Sequence, residues 1–378
     1  MKNLSYFILC AFFLIASVRS SLAEPGIKDL LLLAKNGVPS EVLTSEWRSA
    51  GFSLSQTYIV EKVPVTALDY AIHGIVHNSD QILENKLELV RFLIVEAEVP
   101  WSPKAVKFLN KYVRESQGSL LSSIFRTSNL KFVISVLKNL EIEQRQLAAL
   151  WIARNREEFL SFFSDEQDRL IISGFTLVGS FRWKGIRTTF QDFMRGLVDV
   201  EHLISSPSST LCCNQLVFMM SYLSGAVARE DIERLAFCPI ETEEPYFSFH
   251  HALKESTLAE FRISDHRAMY FSVNACIYRN LGRDSKSPRF VRGLSDIKSY
   301  LSDQESRVAL IFFSMRGFPD IQHVAITYLD PFSSEVRFFH INDDAPSVVE
   351  ELADFYKVKS TYQLCDIAKL SFGKKKDQ

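Results

Sequence analysis

Cys213 stands where a short polar stretch, Ser208-Ser209-Thr210, runs into an apolar segment, Leu216-Val217 through Tyr222-Leu223, that closes on Gly225. The pattern predicts a helix with Cys213 in its first turn. Free backbone amides and the helix dipole at such an end favour an anion and lower a thiol pKa. They can also supply an oxyanion donor. Downstream, Arg307 to Ser314 reads as an apolar strand, and a β-hairpin follows. Its arms are Gln322 to Leu329 and Glu335 to Asp343, turning near residues 331–334. With that centre, Asn342 lies across from His323, and the period of two sets His340 on the same face.

Residues 205–345 therefore resemble the papain-like cysteine hydrolases, including papain-fold bacterial toxins and effector proteases. Those proteins open a helix with a Cys, run through a long insertion and an apolar strand, and start the next strand with His-x-(Ala/Val), here His323-Val324-Ala325. The resemblance implies Cys213 as nucleophile, His323 as the base that takes its proton, and Asn342 as the residue that holds the imidazole. Cys212 and Cys276 are alternative nucleophiles, Cys276 at the shorter spacing to His323 that compact cell-wall cysteine peptidases use. His340 is the alternative orienting group. The chain departs from the papain pattern in lacking a Gln a few residues before Cys213 and the Cys-Gly-x-Cys-Trp signature.

The elements ahead of this region read differently. Segments 26–39, 87–100 and 129–142 are amphipathic, with apolar residues spaced by three and four. Thr66-Ala67-Leu68-Asp69-Tyr70-Ala71 is similar to the turn-and-helix start of an ankyrin repeat, with Thr66 as the cap and Leu68 and Ala71 packed inward. The repeat spacing is irregular, and an irregular helical bundle is the alternative. The resemblance implies an all-α, ankyrin-like array whose partner is a protein. Three glycines, at 174, 179 and 185, break the helical period of the segment after it, so residues 166–206 are expected to connect the halves through short strands or loops.

Chemistry of other kinds finds little support. His73 and His77 lie four apart but have no visible third ligand, and neither C-x-x-C nor H-E-x-x-H occurs, so no metal or other cofactor is expected. His250-His251 and Asp265-His266-Arg267 read as exposed loop groups or the walls of a substrate groove. A formal charge of −2 offers no basic surface for nucleic acid.

Residues 1–23 have the three parts of a secretory leader: Lys2, an apolar run from Tyr6 to Val18, and small residues at Ser21 and Ala23. At about 13 residues the run is short for a membrane span. Cleavage leaves roughly 355 residues, room for two domains, and no integral membrane association. Of the six cysteines, five remain after Cys10 is removed, so an oxidising compartment leaves at least one thiol free or paired between chains. The expectation is an α+β protein, secreted or periplasmic and of bacterial origin. It comprises a leader (1–23), a helical ankyrin-like domain (24–165), a connector (166–206) and a papain-like α+β domain (207–378). Its expected role is that of a thiol hydrolase or effector acting on a protein. The alternatives are a non-enzymatic interaction protein and a papain-like fold without activity.

Overall fold

The computed structural model describes residues 26–75, 80–184, 188–229, 232, 289–290, 294–302, 307–315, 321–342, 345–352 and 362–369. The predicted leader, His77, Cys238, the 250–267 clusters and Cys276 lie outside those residues. The chain mixes helix and strand and divides into two compact units, residues 1–140 and 141–378. Among the described residues no helix is long and apolar enough to cross a membrane.

The first unit is helical. α1 (Ile27–Asn36) and α2 (Ser40–Ser49) precede a small hairpin, β1 (Tyr58–Val60) and β2 (Val63–Val65). Five helices follow: α3 (Ala67–Gly74), α4 (Asp80–Val95), α5 (Pro103–Glu115), α6 (Ser119–Arg126) and α7 (Leu130–Lys138). Thr66 caps α3 as its sequence predicts. Its hydroxyl accepts from the Asp69 amide at 3.2 Å, and the Asp69 carboxylate accepts from the Thr66 amide at 2.6 Å. Leu68 and Ala71 are buried. The other Asp69 oxygen accepts from Ser102, the cap of α5, so one buried carboxylate organises two helix starts. At the far end of α3 the buried Lys86 ammonium donates to the Gly74 carbonyl, and burial pushes the Lys86 pKa down. Gly37 ends α1 at φ +70°, where a Cβ would meet the Lys86 side chain at 2.5 Å.

The second unit opens with α8 (Ile142–Arg154), α9 (Arg156–Phe162) and α10 (Glu166–Leu177). β3 (Arg182–Trp183), α11 (Thr189–Met194) and α12 (Val200–Ser205) lead to β4 (Thr210–Leu211), which pairs in parallel with β3. α13 (Cys213–Leu223) follows at once. Later come β5 (Arg289–Phe290), α14 (Leu294–Leu301), β6 (Val308–Met315), β7 (Ile321–Leu329), β8 (Val336–His340), β9 (Val349–Leu352) and β10 (Tyr362–Lys369). The strands form one antiparallel sheet in the order β5-β10-β6-β7-β8-β9.

Alternation of side chains sorts this sheet into two cores. One face carries Ala309, Ile311, Phe313, Ala325, Val336 and Phe338, covered by Ile297 and Leu301 of α14. The other carries Tyr328 and Phe339, stacked at 5.0 Å, with Phe175 of α10 set edge-on to both. α13 lies on this second face, against α10 and β7. A Cβ at Gly174 of α10 would fall 2.7 Å from the Phe339 ring and 2.8 Å from Met220 of α13.

Two expectations differ from this arrangement. Residues 166–177 form a buried helix rather than part of a connector, because Gly174 serves close packing instead of breaking the period. The division falls after Leu140 rather than near 165, since α8 packs on α10, α12 and α13. Gly174→Ala should overpack the junction of α10, α13 and Phe339 and cost about 1–3 kcal/mol. Gly26→Ala, where the nearest atom is 3.8 Å from the new Cβ, is the control. Urea titration of the two variants checks the difference.

Candidate thiol and histidine sites

Cys212 and Cys213 occupy the boundary that the sequence assigns them. Cys212 is the N-cap residue of α13 and Cys213 its first residue. The Cys212 amide donates to Gln215 Oε1 at 3.1 Å, and the Cys212 thiol donates to Asn214 Oδ1 at 2.9 Å. Gln215 thus satisfies one of the amides that a helix start leaves open. Both cysteines are buried, Cys213 completely. Burial pushes the Cys212 thiol well up, with Cys213 beside it adding to the effect. At this thiol desolvation outweighs the helix-end field, so Cys212 is held as the neutral S–H.

The hairpin has the predicted register. Leu329 pairs with Val336 and Ile326 with Phe339, and continuing that register sets His323 opposite Asn342. Asp330 Oδ1 accepts from the amides of Phe332 and Ser333 and shapes the turn. His323 pairs with Phe313 across β6, and the two rings are 5.4 Å apart. On the other side it meets His340, ring to ring at 5.5 Å in an edge-to-face arrangement. Both imidazoles are buried. Burial first, and the neighbouring His340 second, hold the His323 pKa well below its ordinary value.

Asn342 does not orient the ring through its side-chain oxygen, which accepts from the Ala345 amide at 2.7 Å, while its own amide donates to Ala345 O. His340 is the group beside His323. Its Nε2 lies 3.2 Å from Glu351 Oε2 on β9. Glu351, opposite Phe338 in the β8–β9 register, was not singled out from sequence. The available signal was an acidic pair, Glu350-Glu351, set in the apolar run from Val348 to Leu352. Its two members serve opposite faces. Glu350 accepts from the Tyr328 hydroxyl at 2.7 Å and pairs with Arg337 at 2.9 Å.

The same parity sets the face on which His323 lies. His323 and His340 share the face of Phe313 and Phe338, which α14 covers. α13, opened by Cys213, packs on the opposite face, where its Met220 and the Phe339 ring both border Gly174. His323 and α13 thus belong to opposite faces of the sheet by the alternation of β7. Cys276, the alternative, lies outside the described residues, and the side chain of Cys365 is not among those described. No group of three His, Cys, Asp or Glu residues that could hold a metal ion occurs among the described residues. No family model, curated protein or solved structure matches the chain.

Buried cysteines of this kind are chemically quiet. In the folded protein at pH 7.5, Cys212 and Cys213 should be alkylated by iodoacetamide about 100-fold more slowly than in urea, as mapped by mass spectrometry of the peptide containing both. Equal rates in the two conditions would contradict the burial.

Proposed function

We propose that the chain acts by binding a protein partner through its helical first unit, ankyrin-like in build, after export directed by residues 1–23. The second unit serves as its scaffold. The observation that carries this reading is the packing of the Cys213 helix against β7, α10 and Gly174, while the ring of His323 meets Phe313 and His340 on the alternate face. A nucleophile and its base must come within hydrogen-bond reach, at about 3 Å, to act as a pair. Two features of the first unit support binding. The Thr66–Asp69 capping box starts a helix that packs between its neighbours α1, α4 and α5, as a stacked array requires. The β1–β2 hairpin leaves Ile59 69% exposed and Val63 46% exposed.

A second reading keeps a thiol hydrolase, with Cys276 serving His323 in place of Cys213. What favours it is the neutral His323 imidazole, the protonation state a general base needs.

One pair of measurements separates the two. A photoreactive phenylalanine analogue at Ile59 is expected to give discrete adducts to a protein in the medium or compartment that receives the chain. The same analogue at Leu197, exposed in the second unit, is expected to give none. Turnover of a thiol-reactive acyl probe that disappears in both Cys276→Ala and His323→Ala would replace binding with catalysis.

A further inference from the structure

α5 reads PKAVKFLNKYVRE, with Lys104, Lys107, Lys111 and Arg114 set against one acid, Glu115. Spacings of three, four and three residues place the four cations in one sector of the helix. Lys107, Lys111 and Arg114 are exposed, and Lys104 is half-buried. The helices packed around α5 do little to offset this charge. The one carboxylate of α3, Asp69, is buried and engaged with Thr66 and Ser102. α6 and α7 contain no acid. Glu115 lies 3.8 Å from Lys111. In the loop ahead of α5, Glu96 pairs with Arg91 at 2.9 Å and Glu98 is exposed. The net charge of −2 thus conceals a local cationic stripe.

Aromatic rings border the stripe. The Lys104 ammonium stands 5.7 Å from the ring centroid of Tyr70 on α3 and 5.9 Å from that of Phe108, within cation–π reach. Phe108 stacks on Tyr112 at 6.1 Å and meets His73 edge-on at 5.0 Å. Tyr70 and Phe108 are half-buried and so keep apolar surface beside the lysines. Rings held by their neighbours, with a lysine anchored over them, lose little freedom when a ligand arrives.

We propose that α5, with Tyr70 of α3, binds an acidic, extended segment of a protein partner. The inference rests on the protein-binding reading of the first unit and gives the partner its chemistry. Carboxylates lie along the basic row, and an aromatic side chain of the partner lies on Tyr70 and Phe108. The dimensions agree. From Lys104 to Arg114 the helix rises about 15 Å, and residues i, i+2 and i+4 of an extended chain span about 13 Å. A nucleic acid would continue past the stripe over a chain of net negative charge, whereas a short acidic segment ends with it.

The test titrates the full chain into a fluorescein-labelled peptide, Glu-Ala-Glu-Tyr-Glu, read by anisotropy. A Lys-Ala-Lys-Tyr-Lys peptide, oligothymidylate and phosphatidylserine vesicles are the comparisons. The acidic peptide should bind, more weakly as salt rises, and the basic one should not. Lys107→Glu with Lys111→Glu should raise the Kd about tenfold, and replacing the peptide's Tyr by Ala about threefold. Arg48→Glu, the same charge reversal on an exposed residue of α2, should leave it unchanged. If the doubly reversed variant fails to fold, Lys107→Gln with Lys111→Gln must weaken binding in its place. Absence of binding by the acidic peptide overturns the proposal, as does binding that the lysine variants leave unchanged. Tighter binding of oligothymidylate or of the vesicles also overturns it and reassigns the stripe to nucleic acid or membrane. Crosslinking from Ile59 keeps the two readings apart. Adducts that survive the lysine reversal overturn the acidic partner alone. Adducts absent from the wild type overturn binding through the hairpin, and the peptide titration decides the stripe in either case.

Discussion

Consecutive side chains of a β-strand point to opposite faces, and the second unit is built on that single constraint. Odd-numbered residues of β6 and β7, with even-numbered residues of β8, form the core under α14. The complementary set meets α10 and α13. Shifting one strand by a single residue would move all of that strand's side chains to the opposite core, which is why the register is strongly determined wherever the faces are buried. The same parity sets the chemistry. His323 and His340 are neighbours because they belong to one set, and α13 covers the other.

Each face also contains polar groups that have to be satisfied away from water. On the α10–α13 side, the Tyr328 hydroxyl and the Arg337 guanidinium converge on Glu350. On the α14 side, His340 meets Glu351. Adjacent acidic residues on β9 thus serve both cores, again through alternation. A half-buried carboxylate that lost these partners would leave part of its desolvation uncompensated. Such networks favour one register over its slipped alternatives. They also explain why perturbed titration here accompanies packing as readily as catalysis.

In the first unit the organising groups are helix ends. Asp69 serves the starts of α3 and α5, and Lys86 satisfies the end of α3 while covering Gly37. These contacts join helices that are individually too short to persist in water, most having ten residues or fewer. Stability therefore comes from the stack rather than from any one helix.

Much of this was legible in the residues themselves. The hairpin, its turn and its register follow from a local period of two and a turn-forming Asp-Pro. The cap at Thr66 and the helix opened by Cys213 follow from polar residues placed just before apolar runs. Local signals of this kind act over a few residues, so they survive without knowledge of the rest of the chain. The role of Gly174, the helix at 166–177 and the attachment of α8 to the second unit were not legible, because each depends on a partner distant in sequence. Nor was the choice of helix for each face of the sheet. Alternation divides the sheet residues into two apolar sets, yet burial of apolar surface is non-directional and does not say which helix covers which set. Only the packing of α10, α13 and α14 decided that, and it set α14 over the face of Phe313 and Phe338 and α13 over the other.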